Sequence, residues 1–356
     1  MRLTFVLPFY SSRPIGGLRV VYELANGLVR RGHSVTVIHP WRLVDLPTPK
    51  TIKATTARLI DRVYSLNGVN WMKLDKAVEL LHVGDITNLS VPNADVIFAT
   101  NWHTANPVLN LDLNKGRKHY LVADFYPYLA SKEILEDSWR SGFKIATISN
   151  WLAEMVVSAG VAKDMVTNIS CGVSSFHTVS VDFKHRQPSI VMMYGTTNYK
   201  AAHDGLLALK IIHDKHRNIP IRMFGPNYSR RPKNIPDWAE YHARLPESGV
   251  SRLYNKSSIF LSSSLAEGFC LPAAEAMASG CAVVATECGG NSDFASHEKN
   301  CLLSEPAKPH QLANNVFRLL DDDSLRLRLA AKGLESISTQ TWAASVDRLE
   351  KSLGNE

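Results

Sequence analysis

Short apolar runs alternate with amphipathic stretches along the whole chain. "LTFVLPF", "HSVTVIHP", "DVIFAT", "KHYLVADF" and "KIATIS" are brief and mostly apolar. Runs of this kind suit parallel strands buried on both faces. Between the first two, "LRVVYELANGLVRRG" sets Val20, Val21, Leu24, Leu28 and Val29 at helical spacing and stops at Gly32. "NWLAEMVVSAG" reads as a further helix. After "NISCGVSSFHTVSVDFKHRQPS" the rhythm restarts. "IVMMYG" is a strand, "AHDGLLALKIIHDK" a helix, and "IPIRMFG", "SSIFLSS" and "CAVVAT" are further strands. The closing stretch "DSLRLRLAAKGLESISTQTWAASVDRLEKSLGN" is helical. A repeated β-α-β order predicts an α/β protein with two doubly wound sheets. The expected domains are residues 1–180 and 189–338, with a linker near 176–188 and a last helix in 339–356. Two such domains imply a cleft between the carboxyl ends of their sheets, where open α/β sheets bind ligands.

Composition agrees with this and narrows the function. At 356 residues the chain exceeds one ordinary core. It is 45% hydrophobic and 21% charged, as a globular protein is. No apolar run is long enough for a membrane span. The start, "MRLTFVLPFYSS", is interrupted by Pro8 and reads as a strand, not a signal peptide. The five cysteines (Cys171, Cys270, Cys281, Cys288, Cys301) form no C-x-x-C pair and suit free thiols in a reducing cytoplasm. The 13 histidines show no metal-type spacing, so no metal is expected.

The net charge of +7 admits nucleic acid, an anionic membrane surface or a phosphorylated substrate. Nucleic acid finds no support in an RNP motif, zinc finger or basic run. Basic residues do concentrate between Trp41 and Lys76. There Arg42, Lys50, Lys53, Arg58, Arg62, Lys73 and Lys76 face Asp45, Asp61 and Asp75, with Ile52, Leu59, Ile60 and Val63 among them. This is either a solvated helix or a basic amphipathic face for membrane phosphates.

"EGFCLPAAE" at 267–275 carries the most specific chemistry. Pro272 suits the first turn of a helix, where its missing N–H costs nothing. Backbone N–H groups at a helix start lack intrahelical partners and form an anion site, and Gly268 lets a phosphate approach closely. Glu275 is expected in the first turn of that helix, where its carboxylate accepts two hydroxyl hydrogen bonds, as from a ribose. Glu267 lies on the preceding loop, placed for sugar hydroxyls or for positive charge at a sugar carbon. The same spacing would also arise if both glutamates only favoured a helix N-terminus.

This E-x7-E segment, followed by "ASG", a strand and a Gly-Gly loop, resembles the retaining glycosyltransferases of family 4, which have the GT-B fold. "IGGLRVVYELANGLVRRGHSVTVI", "ATISNWLAEMVVSAGV", "NISCGV" and "KNCLLSEPAKPHQLANNVFRLLDDDSLRLRLAAKG" resemble other parts of the family in the same order, so the resemblance spans nearly the whole chain. It implies two Rossmann-like domains facing a central cleft, the first binding acceptor and the second a nucleoside-diphosphate-sugar, with the last helix crossing back to the first domain. It implies sugar transfer with retention, no cofactor and no divalent metal.

Carried over by residue, the resemblance implies that Glu275 binds the donor ribose and Glu267 the donor sugar. The Gly268 and Phe269 amides contact phosphate, and Cys270 and Leu271 complete that donor loop. Gly16 and Gly17 approach the diphosphate from the first domain, and His103 in "TNWHTANP" touches the donor sugar. In "YGTTNYKAAHDG", Gly195 and Thr196 stand on the loop after the second domain's first strand, and Lys200 stands near the family's lysine position. The loop "HARLPES", including Leu245, would help read base and sugar.

Thr196 departs from the family, which has an arginine there. A guanidinium is a strong bidentate diphosphate partner, so its absence puts activity in question unless Arg222, Arg230 or Arg231 compensates. The rival readings are a non-catalytic nucleotide-sugar-binding partner of another transferase, a GT-B epimerase, a phosphorylase and a nucleic-acid binder. An epimerase needs an acid–base pair that the sequence does not reveal, and a phosphorylase needs a lysine-bound cofactor and a longer chain. The acceptor is expected to be a glycan or lipid-linked molecule of polysaccharide synthesis, at a cytoplasmic site with peripheral membrane contact through residues 41–76.

Overall fold

A computed structural model describes residues 1–41, 68–124, 130–225 and 231–354. The chain forms two units. Unit 1 joins Met1–Ser170 to Trp342–Glu356, and unit 2 is Cys171–Thr341.

In unit 1 the described strands are β1 (Arg2–Val6), β2 (Ser34–Pro40), β3 (Val78–Val83), β4 (Val96–Ala99), β5 (Arg117–Val122), β6 (Lys144–Thr147) and β7 (Val166–Asn168). They form one parallel sheet in the order β3-β2-β1-β4-β5-β6-β7. The central strands are mostly apolar because helices cover both faces. Phe5 on β1 stands opposite Phe98 on β4, and their rings stack with centroids 4.6 Å apart. The Gly16–Arg30 helix buries Val20, Val21, Leu24 and Leu28, the face its spacing marks.

Unit 2 contains β8 (Ile190–Met193), β9 (Ile221–Gly225), β10 (Glu240–Ala243), β11 (Ile259–Ser262), β12 (Ala282–Thr286) and β13 (Leu302–Ser304). These pair in parallel in the order β10-β9-β8-β11-β12-β13. Ile190, Met192, Leu261 and Val284 on the sheet pack with Leu209, Ile212, Leu312 and Val316 on helices. Each such side chain contributes about 1.5–3 kcal/mol when fully buried.

The last helix, Trp342–Gly354, packs on the Gly16–Arg30 helix within unit 1. Gly27 permits the close crossing, because a Cβ there would collide with Val346. At the rim, Arg31 pairs with Asp347 at 2.5 Å and Glu350 at 2.7 Å, and His33 Nε2 meets Glu350 at 2.8 Å. His33 and Arg31 hold the Glu350 carboxyl below its ordinary value.

The stretch 176–188, read from sequence as a linker, is bound into unit 2. Its Arg186 is buried and donates to the carbonyls of Val181, Tyr254, Ser257 and Ser279 and to Asn255 Oδ1. A buried guanidinium with that many acceptors anchors a segment that carries few apolar residues. The division of the chain falls earlier, between Ser170 and Cys171.

Candidate functional site

In unit 2, β8 is flanked by β9 on one side and β11 on the other, so the direction of winding reverses between β8 and β11. Loops leaving two such strands diverge and open a crevice at their carboxyl ends. The loop after β8 carries Gly195, Thr196 and Lys200, and the loop after β11 carries Glu267 to Leu271. The two loops are tied together. Leu265 N–H donates to Tyr199 O at 2.7 Å, and Ser263 Oγ donates to the carbonyls of Lys200 and Ala201. Gly195 lies beneath the Lys200 stem, where an added Cβ would be 2.9 Å from Lys200 Cγ.

This arrangement brings Lys200 Nζ to 2.5 Å from Glu267 Oε1, with side chains only 16% and 12% exposed. Burial is the largest influence and works against the ammonium's charge, but Glu267, with smaller contributions from Tyr199 and Cys270, outweighs it and raises the Lys200 pKa. Glu267 is over-determined. Ser264 Oγ donates to its carboxylate at 2.6 Å, its N–H reaches Cys288 O at 2.9 Å, and its carbonyl accepts from Gly290 N at 3.0 Å. Thr286 Oγ1 in turn donates to Ser264 O. A Cβ on Gly290 would collide with the backbone of Gly268, so these two loops meet backbone to backbone.

The loop then enters the Leu271–Ala278 helix, with Pro272 in the first turn. Cys270, at the N-cap, has φ 63°, and Ala201, at the N-cap of the Ala202–Lys215 helix, has φ 43°. Non-glycine residues hold this left-handed conformation at a cost of about 1–3 kcal/mol, and they gather at functional sites. Gly268, Phe269 and Cys270 are buried, and the backbone N–H groups of Gly268 to Leu271 donate to no acceptor among the described residues. Buried donors without an acceptor are costly, and these four N–H groups in succession, the first three on buried residues, form an anion cradle at the helix start. Phe269 packs on Phe294, with centroids 5.2 Å apart, which holds the loop's far side.

Glu275 corrects one expectation. It is the fifth residue of the helix, in the second turn rather than the first, because the helix begins at Leu271 and its first turn holds no acidic residue. It is 7% exposed. Tyr254 OH donates to its Oε2 at 3.3 Å, and His177 Nε2 lies 3.5 Å from its Oε1. Burial and then the Glu275 charge push the Tyr254 phenol well above its ordinary pKa, so it remains a hydrogen donor. Leu245 lies between β10 and the Glu247–Asn255 helix, packed beside Gly249. Glu247, two residues on, comes within 3.6 Å of His177 Nε2.

The expected compensation for Thr196 is narrower than the sequence allows. Thr196 is exposed on its loop. Arg222 lies near the amino end of β9, donates to Lys256 O at 3.2 Å and pairs with Glu240. Arg231 donates to the carbonyls of Ile235 and Pro236. Both are engaged away from the loop after β8, while Arg230 and residues 42–67 of the basic segment lie outside the described residues.

Gly16, Gly17 and His103 belong to unit 1. Gly16 and Gly17 open the helix after β1, and a Cβ on Gly17 would stand 2.7 Å from Asp124 Oδ2, beyond the end of β5. His103 is the second residue of the Trp102–Leu109 helix after β4 and packs against Trp102. Asn101 caps that helix, accepting from His103 N at 3.1 Å. Strands β1, β4 and β5 are neighbours, so these loops leave adjacent strand ends. Among the described residues no three His, Cys, Asp or Glu side chains converge as a metal site, and no helix is long and apolar enough to cross a membrane.

Ser264, Tyr254, His177 and Glu247 surround the two glutamates without any mark in the sequence. Tyr254 and Glu247 lie on a helix whose polar and apolar spacing says nothing of a ligand, and His177 lies in the apparent linker.

Comparison with known proteins agrees with this geometry. Residues 177–336 match the model of the family Glycosyl transferases group 1. Over 104 residues, 29% of this chain and 25% of the relative, the protein is 35% identical to D-inositol 3-phosphate glycosyltransferase of Corynebacterium glutamicum. That match therefore spans about a quarter of the relative's length. An uncharacterized glycosyltransferase of Methanocaldococcus jannaschii is 24% identical over 92% of this chain and 90% of its own. The structure of Anabaena HepE in complex with UDP-glucose superposes on the whole of both chains with a TM-score of 0.74 at 14% identity. Residues 177–336, nearly all of unit 2, thus match the Glycosyl transferases group 1 model, in a chain with the two Rossmann-like domains of the GT-B fold.

Proposed function

We propose that the protein is a retaining glycosyltransferase of family 4, of the E-x7-E type. It moves a sugar from a nucleoside-diphosphate-sugar to a glycan or lipid-linked acceptor. The observation that carries this is the joining of Lys200, Glu267 and the open amides of Gly268 to Leu271 at the winding reversal of unit 2. The HepE structure holds UDP-glucose, which supports a donor of that class.

In this reading the diphosphate lies on the amides of Gly268 to Leu271, at the positive end of the helix dipole. Glu275 accepts the ribose hydroxyls, and the loop of Leu245 faces the base. Lys200 has three N–H donors, of which Glu267 takes one, so it also meets the diphosphate charge that grows as the sugar departs. Glu267 stabilises positive charge at the sugar carbon. The acceptor hydroxyl attacks from the face that the diphosphate leaves, and its proton passes to the departing phosphate. Because Lys200 and the amides supply the positive potential, no divalent ion is required, and transfer should persist in EDTA. A cytoplasmic place in polysaccharide or cell-surface glycan synthesis follows from the donor and acceptor classes.

The test is a thermal-shift panel with UDP, GDP, dTDP, ADP and CDP on wild type and Glu275→Ala. Ligand at ~100 times its dissociation constant stabilises by about 2.7 kcal/mol. One nucleotide should stabilise the wild type and not the variant. A flat panel would count against a nucleotide site altogether and favour a non-catalytic partner of another transferase, for which exposed Thr196 in the arginine position is the specific support.

A further inference from the structure

His177 is 4% exposed, and neither ring nitrogen has a hydrogen-bond partner among the described residues. Its Nε2 faces two carboxylates, Glu275 Oε1 at 3.5 Å and Glu247 Oε1 at 3.6 Å. Its ring lies against Tyr254, with centroids 5.6 Å apart, and Tyr254 OH donates to the other oxygen of Glu275. The backbone around His177 is fixed on both sides. Ser251 Oγ donates to Phe176 O at 2.6 Å and Asn255 Nδ2 to Thr178 O at 2.9 Å, from positions one helical turn apart. His177 N–H itself reaches Ser174 O at 3.0 Å. A nitrogen that faces two acceptors and no donor suits the tautomer with its N–H at Nε2.

We infer that His177 is a positioning residue for Glu275. This rests on the proposed role of Glu275 in holding the donor ribose. Tyr254 donates to Oε2 and His177 Nε2 stands 3.5 Å from Oε1, so both carboxylate oxygens have a polar neighbour in place before a sugar diol reaches them. Glu247, on a different helix, brings a second carboxylate to the same nitrogen. His177 touches neither nucleotide nor sugar. Its contribution is the orientation of the carboxylate, which two vicinal hydroxyls read and a single hydroxyl reads only in part.

The experiment measures dissociation constants of UDP, GDP, ADP and CDP, each against its 2′-deoxy counterpart, for wild type, His177→Ala, His177→Gln and His177→Asn. A hydrogen bond from one hydroxyl to a carboxylate supports a preference of about tenfold or more for ribose in the wild type. His177→Ala should reduce that ratio to about threefold or less. Gln presents an amide nitrogen near the place of Nε2 and should restore the preference, whereas Asn is too short and should not. Should the alanine variant fail to fold, the Gln and Asn variants carry the same comparison. A ratio that is unchanged in both the Ala and Asn variants would overturn the inference while leaving the ribose role of Glu275 standing. A wild type that binds nucleotide without preferring ribose, or binds none, would overturn that role and the inference together, and would do so before any variant is made.

Discussion

The Lys200–Glu267 pair can be weighed by a double-mutant cycle. The atoms are 2.5 Å apart and little of either side chain is exposed. At an effective dielectric near 20 the gross attraction is about 7 kcal/mol, and removing two ions from water costs several kcal/mol each. The two nearly cancel, so the intact pair adds little net stability. Removing one member is different. Lys200→Met leaves a carboxylate with Ser264 as its remaining side-chain donor, and Glu267→Gln leaves an ammonium facing a neutral amide. Each single change should cost about 3 kcal/mol. The double variant loses both charges and should cost no more than either single one, giving a coupling of about 3 kcal/mol. Urea unfolding read by hydrogen exchange in peptides from 259–290 follows unit 2 separately from unit 1. Single costs that add to within about 0.5 kcal/mol would refute the account. The pH dependence has a defined direction. Because the folded Lys200 pKa is raised, its contribution is complete below the ordinary lysine value and fades only as pH rises beyond about 10. Between pH 6 and 9 the lysine contribution should be flat.

Two further outcomes are expected. Gly290→Ala should push the Gly268 backbone away, costing about 1–3 kcal/mol of stability and weakening nucleotide binding; melting and titration check it, and an unperturbed melt would show that the loops can part freely. Thr196→Arg should strengthen nucleoside-diphosphate binding about tenfold, ~1.4 kcal/mol, by calorimetric titration. An affinity within twofold of wild type would show that this exposed position does not face the diphosphate.

The fold was legible where strands are central. Every strand foreseen from an apolar run lies inside a sheet, whereas β3, β7, β10 and β13, which the runs do not mark, are the four edges among the described residues. An edge strand has fewer covering neighbours, so "VELLHV", "VTN" and "EYHA" mix polar with apolar positions. The candidate site was legible where backbone chemistry constrains sequence, as at Gly268 and Pro272. It was illegible at Ser264, Tyr254 and His177, which act through distance across different elements. Glu275 falls one residue beyond the expected first turn because Pro272 marks a helix start only to within a residue or two. The apparent linker misled for a related reason. Its anchor is polar, a single arginine reaching carbonyls, and no apolar pattern announces that.

The helix Trp342–Gly354 has a bearing on how the protein comes to be made. Unit 1 is discontinuous in sequence, and the helix that packs on Gly16–Arg30 through Val346 is translated only after the whole of unit 2. At roughly 5–20 residues per second, the ribosome spends about ten to thirty seconds on unit 2 after Ser170 has been added. Through that interval the nascent first sheet must keep one flank uncovered, and a chaperone that recognises apolar helix surfaces would find its substrate there. Unit 2, continuous in sequence, can complete its own core first, so the later half of this chain is placed to finish folding before the earlier half.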